Sequence, residues 1–177
     1  GGLTFEVDEN VLIPRPETWE LVQWIVEDCQ SDSSCRILDI GTGSGCIAIS
    51  ILKENAKLTA DAIDISAPAL AIARENAMLN GVSDRIEFTE ADALKDDLSR
   101  PISAADVIVS NPPYILISEM ASLQEEVKKE PSTALDGGED GLIFYRHIVK
   151  EWGKKLKEGG LMAFEADPCE MEDIKML

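Results

Sequence analysis

The chain reads as an α/β domain with a mostly parallel central sheet and helices on both faces. Three observations predict this. From Cys35 onward, short apolar runs alternate with segments of helical periodicity, the pattern of strand–helix–strand units. A glycine-rich run, Asp39-Ile40-Gly41-Thr42-Gly43-Ser44-Gly45, joins the first apolar run to the helix after it. The length of 177 residues, 45% of them hydrophobic, suits one domain with a sizeable core.

The elements follow in order. Leu3, Phe5 and Val7 alternate with polar residues, Asp8-Glu9-Asn10 interrupts, and Val11 and Ile13 resume, which predicts a short β-hairpin. Pro14-Arg15-Pro16 stiffens the exit. Trp19, Val22, Ile25, Val26 and Cys29 recur at helical spacing, so a helix is expected over 17–29, followed by a polar loop at 30–34. Strands are expected at 36–40, 58–64, 85–90, 105–110 and 161–165. Helices are expected at 46–54, 67–80, 119–129, 142–156 and from 170 onward. Ser66 is placed to cap the second of these, with Gly81 just past its end. The 142–156 helix turns Phe144, Ile148, Val149 and Trp152 inward. Residues 1–34 thus form a hairpin and leading helix packed on a main domain of 35–177. A start almost inside a strand and a last helix that leads nowhere read as a piece of a longer protein.

Acidic residues number 34 against 16 Lys and Arg, a net charge of −18. That weighs against tight binding to a nucleic-acid backbone, which needs cations to displace counterions. It suits solubility or a basic protein partner. No run approaches the ~18–20 apolar residues of a membrane span, and no secretory signal opens the chain, so a cytoplasmic protein is expected. Cys29, Cys35, Cys46 and Cys169 show no C-x-x-C spacing and are read as reduced thiols. With His147 as the one histidine, no metal site is expected. His147 reads as a surface or half-buried residue, and Trp19, Trp24 and Trp152 as packing residues. The run at 125–130 reads as a solvated helix face, or, since it follows the Asn-Pro-Pro-Tyr loop, as a border of the substrate channel.

The glycine loop lies between a strand and a helix. Glycines there let a ligand approach the backbone, and the helix N-terminus favours an anionic group. Asp39 precedes the loop. Asp64, ending the next strand, is placed to accept both hydroxyls of a ribose. Asp92, after the third strand, is placed to reach an adenine edge. Three acidic strand ends on one rim fit the ligand-binding edge of an open α/β sheet. Ordinary helix-capping turns are the bland alternative. A dehydrogenase is the competing cofactor reading, weakened because the spacing is G-x-G-x-G and not G-x-G-x-x-G.

Ser110-Asn111-Pro112-Pro113-Tyr114 follows the fourth strand. Its prolines fix the backbone and remove two N–H donors. What remains is the Asn111 side-chain carbonyl, the Pro112 carbonyl and the Tyr114 ring. Two acceptors and a flat face suit a planar –NH2 group. Holding both hydrogens aims the nitrogen lone pair at an electrophile, which is catalysis by orientation. The acceptors also favour a nitrogen gaining positive charge. A rigid turn that merely ends a strand is the alternative.

Together Asp39 to Gly45, Asp64 and the Asn-Pro-Pro-Tyr loop resemble the class I S-adenosylmethionine-dependent methyltransferases that modify planar nitrogens. The closer resemblance is to the HemK/PrmC family, the N5-glutamine methyltransferases of peptide chain release factors. It is carried by Val11-Leu12-Ile13-Pro14-Arg15-Pro16-Glu17-Thr18, by Glu130-Pro131, and by Ala134-Leu135-Asp136-Gly137-Gly138-Glu139-Asp140-Gly141-Leu142. It implies a Rossmann-like fold, S-adenosylmethionine as cofactor with S-adenosylhomocysteine as product, and methylation of the glutamine in a Gly-Gly-Gln motif. By position it puts Asp39, Gly41, Thr42, Gly43, Gly45, Asp64, Asp92 and Asn111 at the cofactor. It puts Asn111, Pro112, Pro113, Tyr114 and Arg15 at the substrate, with Asn111, Pro112 and Tyr114 catalytic. The resemblance also sets Arg15, Pro16 and Thr18 near the cofactor and the substrate entrance, while Pro14–Thr18 equally reads as a plain helix entry. Departures are the family's N-terminal helical domain and its last strand pair, both expected to be missing, and Glu165-Ala166-Asp167 where the family has Glu-Ile-Gly. An adenine-type amino methyltransferase of nucleic acid and a cofactor-binding domain without turnover are the alternatives.

Overall fold

The computed structural model describes residues 2–29, 34–95, 98, 100–124, 127 and 130–177. Five strands form one parallel sheet: β1 (Arg36–Ile40), β2 (Thr59–Asp64), β3 (Ile86–Glu90), β4 (Ala105–Ser110) and β5 (Leu156–Phe164). Their order is β3-β2-β1-β4-β5, all neighbours parallel. The order reverses between β1 and β4, so the chain leaves these two strands in opposite directions and opens a crevice at their carboxyl ends.

Helices α1 (Thr18–Asp28), α2 (Cys46–Glu54) and α3 (Ala67–Leu79) precede or link the first strands; α4 (Ile143–Glu151) follows β4 and α5 (Met171–Lys175) follows β5. One sheet face packs Ile37, Ala60, Ala62, Val107 and Val109 against Leu21, Val22 and Ile25 of α1, Ile47, Ile51 and Leu52 of α2, and Ala77 of α3. The other packs Leu38, Ile40, Ile63 and Ile108 against Ile148 of α4 and Trp152 just beyond it. Both faces are covered, as expected of parallel strands. The α3 start is as predicted: Ser66 Oγ accepts from the Ala69 N–H at 3.2 Å.

The expected N-terminal hairpin is absent: no strand precedes β1 among the described residues. The arm is held as an extended strap by side-chain amides of α3. Asn76 Nδ2 donates to Glu6 O, its Oδ1 accepts from the Glu6 N–H, and Asn80 Nδ2 donates to Thr4 O. These bonds satisfy backbone groups that a hairpin would have paired. The same alternation therefore half-buries Leu3 and Phe5 and leaves Val7 exposed.

Other boundaries also move. The predicted 142–156 helix ends at Glu151, tightens into a 3₁₀ turn over Trp152–Lys155, and β5 starts at Leu156. The stretch from Lys157 to Gly160 precedes the predicted 161–165 strand. In the sheet it is an irregular stretch of β5 opposite Ala105 and Val107, with Gly160 against the Asp106 carbonyl. Within the predicted 119–129 helix the described residues hold a 3₁₀ turn at Met120–Ser122, where Ser122 Oγ donates to Glu119 O and Leu123 is extended. Residues 125, 126, 128 and 129 of that stretch, and 30–33 of the predicted loop, lie outside the described residues. Trp24 is 66% exposed on α1, unlike the buried Trp152. All four cysteines are free. Among the described residues no helix is long and apolar enough to cross a membrane.

Candidate active site

Two clefts meet at the carboxyl ends of β1 and β4. The larger, about 430 Å³, is lined by Gly41, Thr42, Gly43, Asp64, Asp92, Asn111, Pro112, Pro113 and Arg15, among others. The second, about 420 Å³, is lined by Arg15, Asn111, Pro112, Tyr114, Glu130 and Glu165, among others. Asn111 and Pro112 line both. Two prolines in succession turn Pro113 to one cleft and Tyr114 to the other.

The β1 loop is drawn tight. Gly41 and Thr42 donate their N–H groups to the Ile63 carbonyl at 2.9 Å, and the Gly43 N–H donates to Asp64 Oδ2 at 2.8 Å. Gly41 and Gly43 have φ of +72° and +55°, and a Cβ on either would meet nothing within 4 Å. The loop therefore needs glycine for its backbone, and leaves open space above it.

Asp64 Oδ1 also accepts from the Ser66 N–H at 2.9 Å. These bonds leave the carboxylate acceptor capacity for a ligand. Burial raises its pKa despite these bonds. Asp92 lines the same cleft. Its hydrogen bond with Lys95 and that with the Leu94 N–H hold its pKa below the usual range.

Two residues expected at the cofactor do not line the larger cleft. Asp39 is fully buried and lines neither cleft. Its Oδ2 accepts from Thr42 Oγ1 at 2.7 Å and from the Ala48 N–H at 3.3 Å, while Oδ1 has no partner among the described residues. Burial pushes its pKa up to about 6. Asp39 thus ties β1, the loop and α2 together from below. Gly45 packs at the α2–α3 crossing, where a Cβ would sit 2.8 Å from Ile49 Cδ1 and 3.3 Å from the Ala73 Cβ.

The β4 loop is held from behind. Ser110 Oγ donates to Ile40 O at 2.6 Å, fixing β4 to β1 where the two loops begin. The Ile115 N–H donates to Leu135 O at 3.0 Å, and the Gly137 N–H donates to Ile115 O at 2.8 Å. A Cβ on Gly137 would lie 2.6 Å from the Tyr114 backbone, so only glycine fits there. The Asp136-Gly137-Gly138 run is therefore a clamp on the Asn-Pro-Pro-Tyr loop. Among the described residues nothing hydrogen-bonds the Asn111 side chain, which leaves its carbonyl free to accept. Burial raises the Tyr114 pKa, helped by the charges of Glu165 and Asp167.

The sequence suggests no role here for Ser110, Ile65 or Phe144, and the solvated face preferred for 125–130 does not hold at Glu130, which is buried against the second cleft. Ile65 and Phe144 line the larger cleft, and Ile65 is 53% exposed although large and apolar. Its place directly after Asp64 was the available signal. His147 is half-buried on α4 and lines neither cleft.

A glycine loop, two rim carboxylates and an Asn111 side chain unpartnered among the described residues thus stand together at one switch point. A family model described as the methyltransferase small domain matches residues 21–163. The chain belongs to the methyltransferase small domain family. Among curated members it is 44% identical over 171 residues to the release factor glutamine methyltransferase of Chlorobaculum tepidum, and 46% identical over 170 residues to that of Flavobacterium psychrophilum. Each alignment covers 93% of this chain and 58% of the relative. The corresponding protein of Aquifex aeolicus is 40% identical over 178 residues, covering 99% and 62%. These relatives bear out the HemK/PrmC resemblance. The chain spans about three-fifths of the length of the curated relatives it matches.

Among solved methyltransferases, the hMettl16 catalytic domain in complex with MAT2A 3′UTR hairpin 6 superposes with a TM-score of 0.75 at 20% identity, covering 99% of this chain and 66% of that one. The ribosomal protein L11 methylase of Lactobacillus delbrueckii subsp. bulgaricus gives 0.63 at 25% identity, covering 94% and 68%. The Rossmann-like methyltransferase fold expected from the sequence is thus the one observed.

Proposed function

We propose that the chain carries an S-adenosylmethionine-dependent methyltransferase that modifies the side-chain amide nitrogen of the glutamine in the Gly-Gly-Gln motif of peptide chain release factors. The observation that carries this reading is the position of Asn111 and Pro112 on the wall shared by two clefts, the larger with a glycine floor and carboxylate rim. The names of the relatives support the same substrate. In this reading residues 35–177 bear the chemistry, residues 1–34 buttress them, and the reaction belongs to cytoplasmic translation termination.

The larger cleft fits the cofactor. Its volume lies within the ~300–1,000 Å³ of small-molecule sites, and the space above Gly41 and Gly43 would be filled by any side chain there. Gly41 and Gly43 would take its backbone-side edge, Asp64 its ribose hydroxyls and Asp92 its base, while Asp39 and Gly45 hold the cradle in shape. When bound, S-adenosylmethionine supplies an electrophilic methyl group on a sulfonium.

The chain's own part is orientation. An amide nitrogen is a weak nucleophile because its lone pair is delocalised. Asn111 Oδ1 and the Pro112 carbonyl accept one N–H each from the glutamine amide, and the Tyr114 ring packs against it. The lone pair is then turned toward the cofactor cleft, and the acceptors stabilise the positive charge that grows on nitrogen. No general base is needed before attack, and one N–H proton leaves afterwards.

Labelled methyl transfer tests the reading, with a release factor and duplex DNA offered separately. Label on the release factor, lost when its Gly-Gly-Gln glutamine is replaced, is the expected result. Label on DNA would overturn it in favour of a nucleic-acid amino methyltransferase.

A further inference from the structure

The second cleft holds a charged group that the transfer mechanism leaves idle. Glu130 is 8% exposed. Its Oε1 accepts from Arg15 Nη2 at 2.8 Å. Its Oε2 is buried and has no partner among the described residues. A carboxylate oxygen kept from water without a donor is destabilising. Here it stands on the wall of a ligand cleft, so a ligand can bring the donor.

The surroundings narrow what that donor is. Glu130 lines the same cleft as Asn111, Pro112 and Tyr114. Arg15 pairs with one oxygen of Glu130. Glu165, whose Oε2 is likewise buried without a partner among the described residues, lines the same cleft. The remaining Glu130 oxygen suits a hydrogen-bond donor such as a main-chain N–H. Much of the intervening wall is apolar, with Leu12, Ile115, Leu123 and Leu135. A hydrogen bond made there is shielded from water and directional. Asn111 and Glu130 come from segments anchored separately: the β4 loop by the clamp at Gly137, and Glu130 by its own N–H to Val127 O and by Arg15 of the N-terminal strap.

We infer that Glu130 is a substrate-binding residue whose Oε2 accepts a backbone N–H of the polypeptide at the acceptor glutamine or an adjoining residue. The cleft then holds the side-chain amide on one wall and the main chain on the other. This rests on the glutamine methyltransferase reading and adds to it a reason for peptide selectivity, since a nucleobase amino group held by Asn111 brings no main chain to Glu130.

Steady-state methyl transfer to a release factor by wild type and Glu130→Gln tests it, with S-adenosylhomocysteine affinity and melting temperature measured on both. In Glu130→Gln the amide oxygen serves Arg15, and its –NH2 opposes the substrate N–H. The expected result is a KM for the release factor raised about tenfold, with kcat, S-adenosylhomocysteine affinity and melting temperature little changed. An unchanged KM, or a parallel loss of S-adenosylhomocysteine affinity, overturns the inference. Should the variant not fold, wild-type enzyme decides, using substrate in which an ester replaces the amide at the glutamine or either neighbour. One of the three replacements is expected to lower kcat/KM about tenfold; equal rates for all three overturn the inference. Wild type that labels no release factor defeats the function proposed above, and this inference with it. Wild type that labels normally beside a variant with unchanged KM defeats this inference alone.

Discussion

The loops after β1 and β4 sit side by side and are built on opposite principles. The β1 loop is closed on itself: its N–H groups are spent on the Ile63 carbonyl and Asp64, and Asp39 braces it from beneath. The β4 loop has given up two N–H groups to proline and leaves Asn111 unengaged. The first is a rigid seat, and the second is a pair of acceptors held out from a clamped backbone. In the proposed mechanism binding and chemistry are thereby separable: changes in the first should show in cofactor affinity or stability, and changes in the second in turnover.

The sharpest test of that separation is Asn111→Ala. Removing one acceptor that acts on developing charge should lower transfer on the order of 10²–10³-fold, with cofactor affinity nearly intact by calorimetry. Equal loss of both would merge the two loops into one function.

Asp39 tests the brace. Its folded pKa of about 6 lies about two units above the ordinary value. Below about pH 4 it is protonated folded or unfolded and carries no penalty. Between about pH 4 and 6 the unfolded chain ionises while the folded one does not, so stability falls as pH rises, by about 3 kcal/mol through this group. Denaturant unfolding at pH 4 and 6.5 should show Asp39→Asn lacking this part of the fall; identical pH profiles would deny the brace its buried proton.

Asp64→Ala should weaken S-adenosylmethionine binding by about 1.5–3 kcal/mol and also loosen Gly43. An unchanged dissociation constant would remove Asp64 from the site. The smallest effect is expected from Gly45→Ala, whose φ of +79° and contact with Ile49 predict a stability loss of about 1–2 kcal/mol. Thermal melting should register it, and cofactor affinity should not. A loss of affinity larger than the loss of stability would return Gly45 to the ligand.

Legibility in the sequence followed how local the cause was. The five strands were found because apolar runs between turn signals depend on their own residues, and the Ser66 cap because it acts three residues away. The hairpin was misread because alternation reports a two-sided extended segment, not its partner. Here the partners are Asn76 and Asn80, about 70 residues on. The glycine run and Asn-Pro-Pro-Tyr were visible as motifs, yet the glycines divide into Gly41 and Gly43 at the cleft and Gly45 at a helix crossing. Spacing alone could not divide them, because what lies above each glycine depends on α3.

By itself the sequence determined the parallel α/β class, the chemical character of each rim residue and the family resemblance, since all three are carried by local pattern and side-chain type. Tertiary structure alone decided that β1 and β4 are neighbours and that Asp39 is a brace. It also decided that Asp136-Gly137-Gly138 is a clamp and that Glu130 meets Arg15 across 115 positions of chain. Strand order and burial are properties of the packed whole. They follow from how three helices and one divide the two faces of the sheet, which no window of sequence contains.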